Sequence, residues 1–130
     1  MVEKNETRDN IFINFSNHPS SNWSEIQKKE VYDQYHAQII DIPFPQVSAS
    51  VDEEAICSLA EEYVETICNH NPKVVMCQGE FGLTYQVIML LKRKDILTVY
   101  SCSERKTVEK KTDTGTVKTS EFCFVRFRKY

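Results

Sequence analysis

The 130-residue sequence has little of what marks several classes of protein. Its 3 glycines and 4 prolines are too few for a collagen-like or low-complexity chain. No stretch approaches the roughly 20 consecutive apolar residues of a membrane-spanning helix, and the opening residues lack the apolar core of a signal peptide. We therefore expect a cytoplasmic protein that does not bind membranes, with a flexible polar leader at 1–10 and a single domain over 11–130.

Cysteine pairs and metal-ligating motifs are also lacking. The five cysteines are dispersed and form no Cys-x-x-Cys pair, which predicts reduced thiols. Cys57, Cys77 and Cys123 lie within apolar patterns, so we expect them to be buried. The 3 histidines are scattered along the chain. We therefore expect neither a metal site nor another cofactor.

The charge is unevenly distributed although the net charge is only −3. Residues 1–91 carry 5 Lys/Arg and 14 Asp/Glu, whereas residues 92–130 carry 11 Lys/Arg and 5 Asp/Glu. Binding to duplex DNA requires many cations along the phosphate track, so this distribution disfavours a duplex-DNA partner. A compact polyanion remains compatible with it.

Strand-like apolar runs alternate with helical patterns along most of the chain. Ser24 followed by Gln27 predicts a helix from Glu25 to about Tyr35, and Ser50 with Glu53 predicts a second over 51–69. A third helical pattern ends in a run of cations. The strand-like runs are 11–15, 38–42, 73–77 and 96–100. This alternation predicts an α/β, Rossmann-like fold, in which helices flank a mostly parallel sheet.

The C-terminal third follows a different pattern. Asp113-Thr114-Gly115 is a turn signal, and the flanking arms predict an exposed β-hairpin over 106–119. The last apolar run, 122–128, predicts an additional edge strand. Strict alternation along it places Phe127 on the face opposite Phe122 and Phe124.

In such sheets, ligands bind beyond the carboxyl ends of the strands. The first segment there is the loop at 16–24, where unpaired N–H groups of the following helix favour a phosphate. Trp23 is a candidate for stacking on a base. The alternative is an ordinary polar loop with Trp23 packed against the body. The candidate phosphate ligands are Ser16, Asn17, Ser20 and Ser21.

The second segment is the turn after the third strand. Gly79 there permits a positive φ and a close approach of backbone to ligand. Glu80 stands at a helix entrance, where a carboxylate also has a purely structural role. The candidate ligand-binding residues of this segment are Gln78, Gly79, Phe81 and Thr84.

The third segment, 101–106, begins the basic C-terminal part. Arg105 and Lys106 beside Ser101 and Ser103 suggest an anion clamp, because arginine donates two hydrogen bonds to one phosphate.

Three motifs together resemble a known family. They are Asn14-Phe15-Ser16-Asn17-His18-Pro19 at a strand end, the glycine-bearing turn after the third strand, and the final Phe124-Val125-Arg126-Phe127-Arg128 strand. They resemble the small single-domain proteins encoded beside type III CRISPR systems, which look like trimmed versions of the CRISPR-associated Rossmann fold (CARF). The resemblance implies a homodimer that surrounds a cyclic oligoadenylate second messenger with its strand-end loops.

Some members of that family cleave the ring without a metal, as ring nucleases, and others only bind it. For cleavage, His18 or Glu80 is the candidate general base. Three alternatives stay open at this point. They are a non-catalytic messenger sensor or sponge, a nucleoside- or nucleotide-processing enzyme that uses Glu80, and an interaction module whose basic hairpin binds an acidic partner.

Overall fold

A computed structural model describes residues 7–130 and confirms the α/β, Rossmann-like fold. The sheet has five strands in the order β2-β1-β3-β4-β5; the first four are parallel and β5 is antiparallel to β4. Besides a short 3-10 turn at Ser20–Asn22, the elements are β1 (Asp9–Ser16), α1 (Glu25–Tyr35), β2 (Gln38–Pro43), α2 (Glu53–Cys68), β3 (Pro72–Gln78), α3 (Phe81–Arg93), β4 (Leu97–Thr112) and β5 (Gly115–Lys129).

Side-chain caps set the helix starts. The Ser24 Oγ accepts a hydrogen bond from the Gln27 N–H at 3.2 Å, so the predicted start of α1 is confirmed. The cap of α2 is Asp52 rather than Ser50, since its carboxylate accepts from the Ala55 N–H at 2.9 Å. The Ser50 hydroxyl is instead bonded to that of Ser48 at 2.9 Å. The predicted start of α2 was therefore wrong by two residues.

The sheet separates two apolar layers. α2 and α3 cover one face, onto which Ile13, Phe15 and Val75 project. α1 alone covers the other face, where Phe12 and Val74 are fully buried. Consecutive residues of β1 and β3 thus enter opposite layers. Because both faces are covered, these strands are continuous apolar runs instead of alternating ones.

β4 and β5 form one long hairpin, whereas the sequence predicted a short strand, a separate hairpin and an edge strand. β4 has 16 residues and β5 has 15, and the ladder continues to the pair Thr112–Gly115. Gly115 has a φ of 132°, a conformation that glycine adopts without strain. Residues 101–106 therefore lie within a strand and not in a loop, because their backbone is paired with residues 121–127 of β5.

A β-bulge lies at Val125. Cys102 is paired with Arg126 and Ser103 with Phe124, which leaves Val125 without an opposite residue. The inserted residue reverses the alternation, so Phe124 and Phe127 pack on the same apolar layer beside α1. The predicted placement of Phe127 opposite Phe124 was wrong for this reason.

The first residues of the predicted leader, 1–6, lie outside the described part of the chain. β1 begins at Asp9, inside the predicted leader. The Arg8 guanidinium donates to the Lys94 carbonyl at 2.8 Å.

Of the three cysteines expected to be buried, only Cys77 is, and burial raises the pKa of its thiol to about 12. Cys57 is exposed because it lies on the outer face of α2, and Cys123 is half-buried on the exposed hairpin. Among the described residues, no helix combines the length and the apolar character needed to cross a membrane.

Candidate ligand-binding site

A cavity of about 540 Å³ opens on the α1 side of the sheet, beyond the carboxyl end of β3. Small-molecule sites commonly have volumes of about 300–1,000 Å³. Each of the three predicted segments contributes to its wall, for example through His18, Gln78 and Ser101. The remaining lining residues are Asn22, Trp23, Ser24, Gln27, Met76, Ser103, Phe122 and Phe124. Segments far apart in the sequence therefore meet at one site.

The cavity exists because β3 and β4 separate there. Their ladder ends at the pair Met76–Val99. Two residues after Met76, the Gln78 side chain provides the hydrogen-bond partner that the β4 backbone lacks at Ser101. Its Oε1 accepts from the Ser101 N–H at 2.8 Å and from the Ser101 hydroxyl at 3.0 Å. Both residues were predicted to bind ligand, but the Gln78 carbonyl oxygen is occupied within the protein and only its NH₂ group remains to donate.

The loop after β1 is held through its backbone. The His18 carbonyl accepts from the Asn14 side-chain amide at 2.8 Å and from the Trp23 indole N–H at 3.1 Å. The His18 N–H donates to the Ser16 Oγ at 3.2 Å. The imidazole itself is exposed on the cavity wall and has no hydrogen-bond partner within residues 7–130. The imidazole is therefore free to form a hydrogen bond with a molecule in the cavity.

Two polar residues that sequence reasoning missed support this loop. Asn14 and Asp41 are opposite each other in the β1–β2 ladder, and the Asn14 amide donates to the Asp41 carboxylate at 3.0 Å. The other carboxylate oxygen accepts from the Ser20 N–H at 3.1 Å and from its hydroxyl at 3.0 Å. The Ser16 hydroxyl donates to Asn14 at 2.7 Å. Ser16 and Ser20 are thus bonded within the protein beside a carboxylate, which disfavours the predicted phosphate contacts.

The other candidates of this loop are divided between different surfaces. Asn17 is exposed, but it lines two neighbouring cavities and not this one. Ser21 is exposed and lies outside the described cavities. Trp23 is only 8% exposed and packs edge-on against Phe12, with 6.2 Å between ring centroids. The alternative of a packed Trp23 is therefore the one observed. The start of α1, with Ser24 and its open N–H groups, remains available beside the cavity.

The turn between β3 and α3 contributes only Gln78 to the cavity. The Glu80 carboxylate caps α3 by accepting from the Leu83 N–H at 2.7 Å, and it lines a separate cavity of about 710 Å³ with Phe44. Gly79 does not have a positive φ, and its lack of a Cβ makes room for the Phe44 ring, which a Cβ would approach to 2.5 Å. These two residues act structurally here.

Two further candidates from this turn also lie away from the cavity wall. Phe81 is 91% exposed on α3. The Thr84 hydroxyl is buried beside the Cys77 thiol, so its oxygen cannot reach a ligand. The sequence pattern placed both residues near a strand end, but the direction of each side chain depends on how α3 packs.

Arg105 and Lys106 do not form one clamp. They are consecutive residues of a strand, so their side chains point to opposite faces of the hairpin. Arg105 shares its face with Ser103, and its guanidinium lies 5.0 Å from the centroid of the Phe122 ring. Lys106 is opposite Glu121 on the reverse face. Only Arg105 is therefore adjacent to the cavity.

Comparison with protein families gives a match over most of the chain. The model described as "Uncharacterized protein MJ1673 family" matches residues 10–128, which extend from β1 to β5. A search of curated proteins finds no match.

Proposed function

We propose that this chain, which belongs to the uncharacterized protein MJ1673 family, binds a cyclic oligoadenylate through the cavity at the start of α1. The convergence of three separate segments on this cavity of about 540 Å³ carries the proposal. A cavity at a strand end, with a few hydrogen-bonding groups and aromatic rings in its wall, is where α/β proteins of this topology bind nucleotides.

The wall offers groups suited to each part of a nucleotide. The first-turn N–H groups of α1 and the Asn22 amide suit a phosphate, because they are uncharged donors at the positive end of a helix dipole. Gln27 and Ser103 supply hydrogen-bonding groups for base edges or ribose hydroxyls. The cavity has room for one part of a ring, and the proposal places the rest in the cavity of a second copy, in a homodimer.

The proposal extends to ring cleavage, with His18 as general base. The ribose 2′-OH would attack the adjacent phosphorus while the imidazole takes its proton. The new bond is O2′–P and the broken bond is P–O5′, which leaves a 2′,3′-cyclic phosphate and a 5′-hydroxyl after protonation. Glu80 is less suited to this role because its carboxylate caps α3 in a different cavity. The dispersed cysteines favour a cytoplasmic setting for this chemistry.

Calorimetric titration with cyclic oligoadenylates of several ring sizes tests the binding step. Trp23, the single tryptophan, lines the cavity, so its fluorescence gives an independent reading of occupancy. We expect one ring size to bind more tightly than the linear oligoadenylate of equal length, and duplex DNA not to compete. Equal affinity for ring and linear forms would contradict the cyclic ligand.

Chromatography after incubation with the cyclic ligand tests the cleavage step. His18→Asn should abolish conversion while binding is kept, because the exchange removes the base and leaves a polar group. His36→Asn is the matched control, since His36 is exposed at the end of α1, where its left-handed φ of 53° is tolerated by asparagine. Binding without conversion in the unsubstituted protein would identify a messenger sensor instead.

A further inference from the structure

An exposed aromatic ring lies on the rim of this cavity. Phe122 lines the cavity wall, yet 71% of the residue is exposed to solvent. Single exposed apolar side chains are common on protein surfaces. This one differs because a cation is placed on its ring and because a cavity with hydrogen-bonding groups lies beside it.

The Arg105 guanidinium lies over one face of the Phe122 ring. The two residues are directly opposite each other in the β4–β5 ladder, and the guanidinium carbon lies 5.0 Å from the ring centroid. This distance is within the range of a cation–π contact. The guanidinium forms no other hydrogen bond or salt bridge within residues 7–130, so its N–H groups remain available at the rim.

The strand behind Phe122 is anchored in the core. Phe124, the next residue on the same face, packs with its ring centroid 4.9 Å from that of the buried Phe127. The bulge at Val125 is what puts these two rings on one face. Phe122 therefore extends a row of aromatic rings from the apolar layer beside α1 to the cavity rim.

We propose that Phe122 is the surface on which a purine base of the ligand stacks, and that Arg105 binds the phosphate next to that base. This inference rests on the proposed function and adds to it the residues that recognise the base. A purine fits better than an aliphatic group, because its flat π-face matches the exposed ring and its edges need the hydrogen-bonding groups of Gln27 and Ser103.

The expected effect follows from stacking energies. Removing one base–aromatic stack weakens binding about 10- to 100-fold. Phe122→Leu should produce such a loss for AMP and for cyclic oligoadenylate, whereas Phe122→Tyr should retain affinity. Ribose 5-phosphate, which has no base, should bind equally to all three proteins. Because Phe122 is exposed, these substitutions should leave the fold intact, which circular dichroism checks.

Phe81→Leu is the matched control, since Phe81 is 91% exposed but lies outside the cavity. Calorimetry of wild-type and variant proteins with AMP, ribose 5-phosphate and cyclic oligoadenylate separates the two proposals. AMP binding that depends on Phe122, without binding of the cyclic ligand, would support the stacking surface and refute the proposed function.

Binding of the cyclic ligand unchanged in Phe122→Leu would refute the stacking surface and leave the function standing. An equal loss in Phe81→Leu would also overturn it. If neither adenine ligand binds the wild-type protein, both proposals fail.

Discussion

Replacing Gly79 with alanine should destabilise the protein through a steric clash with the Phe44 ring. A Cβ at this position would lie 2.5 Å from two ring atoms of Phe44 and 2.6 Å from a third. Phe44 is only 6% exposed, and its ring centroid is 4.7 Å from that of the buried Phe15. The ring must therefore move by roughly 1 Å inside a close-packed layer.

Such overpacking commonly costs about 1–3 kcal/mol of unfolding free energy. For a chain of this size, this corresponds to a decrease in Tm of about 4–12 °C. Thermal unfolding followed by circular dichroism, together with urea denaturation, measures the effect. In a Phe44→Leu background the smaller side chain can yield, so the same glycine substitution should cost less.

Gly82→Ala is the internal control for this prediction. Its nearest contact would be the flexible Glu80 carboxylate at 3.4 Å, and alanine is favoured over glycine in a helix. We expect Gly82→Ala to be neutral or stabilising by up to about 1 kcal/mol. If Gly79→Ala is no more destabilising than Gly82→Ala, the close approach of Phe44 does not explain the glycine.

Three further predictions concern other parts of the molecule. Asp52→Ala should lower the free energy of unfolding, measured by urea denaturation, by about 1 kcal/mol, and Ser50→Ala should lower it by less than half of that, because only Asp52 caps α2. Equal losses in the two variants would contradict this assignment of the cap. Burial raises the pKa of Tyr130 from its usual 10.0 to about 12, so the stability it contributes is complete below pH 10 and is lost as the pH rises to 12. Tyr130→Phe should make that decline smaller in alkaline urea titrations, and the part due to the buried Cys77 thiol should remain; an unchanged decline would refute the cause. Arg105→Ala should weaken cyclic oligoadenylate binding about tenfold and reduce its salt dependence, as measured by calorimetry. Lys106→Ala should change neither, because the Lys106 side chain points to the other face of the hairpin. Equal losses of affinity in the two variants would support the joint clamp.

Local signals were sufficient for the helices and the parallel strands. The Ser24–Gln27 spacing predicted α1 from Glu25 to Tyr35 because a cap involves neighbours in sequence. The same kind of signal, Ser50 with Glu53, misplaced the start of α2 by two residues. Ser50 and Asp52 are both acceptable caps, but the Ser50 hydroxyl is bonded to Ser48 and only Asp52 caps the helix. Choices of this kind depend on which competing hydrogen bond forms in the folded chain.

The candidate site was predictable as a region but not side chain by side chain. His18 and Ser103 both line the cavity, whereas Ser16 is bonded to Asn14, which the sequence placed in a motif but did not identify as a site residue. A signal existed, since Asn14 is the one polar residue of the run 11–15 and Asp41 is flanked by isoleucine on both sides. Recognising that they meet requires the β1–β2 register, which joins residues 27 positions apart.

The sequence by itself determined the order of strands and helices from β1 to the start of β4, because hydrophobic period and capping act between near neighbours. Only the tertiary structure decided which polar groups face the cavity. Where β3 separates from β4, the Gln78 side chain is hydrogen-bonded to Ser101. The bulge at Val125 turns Phe122 and Phe124 toward the cavity while Phe127 stays buried. The physical reason is that each of these outcomes depends on strand register, which is set by contacts between segments far apart along the chain.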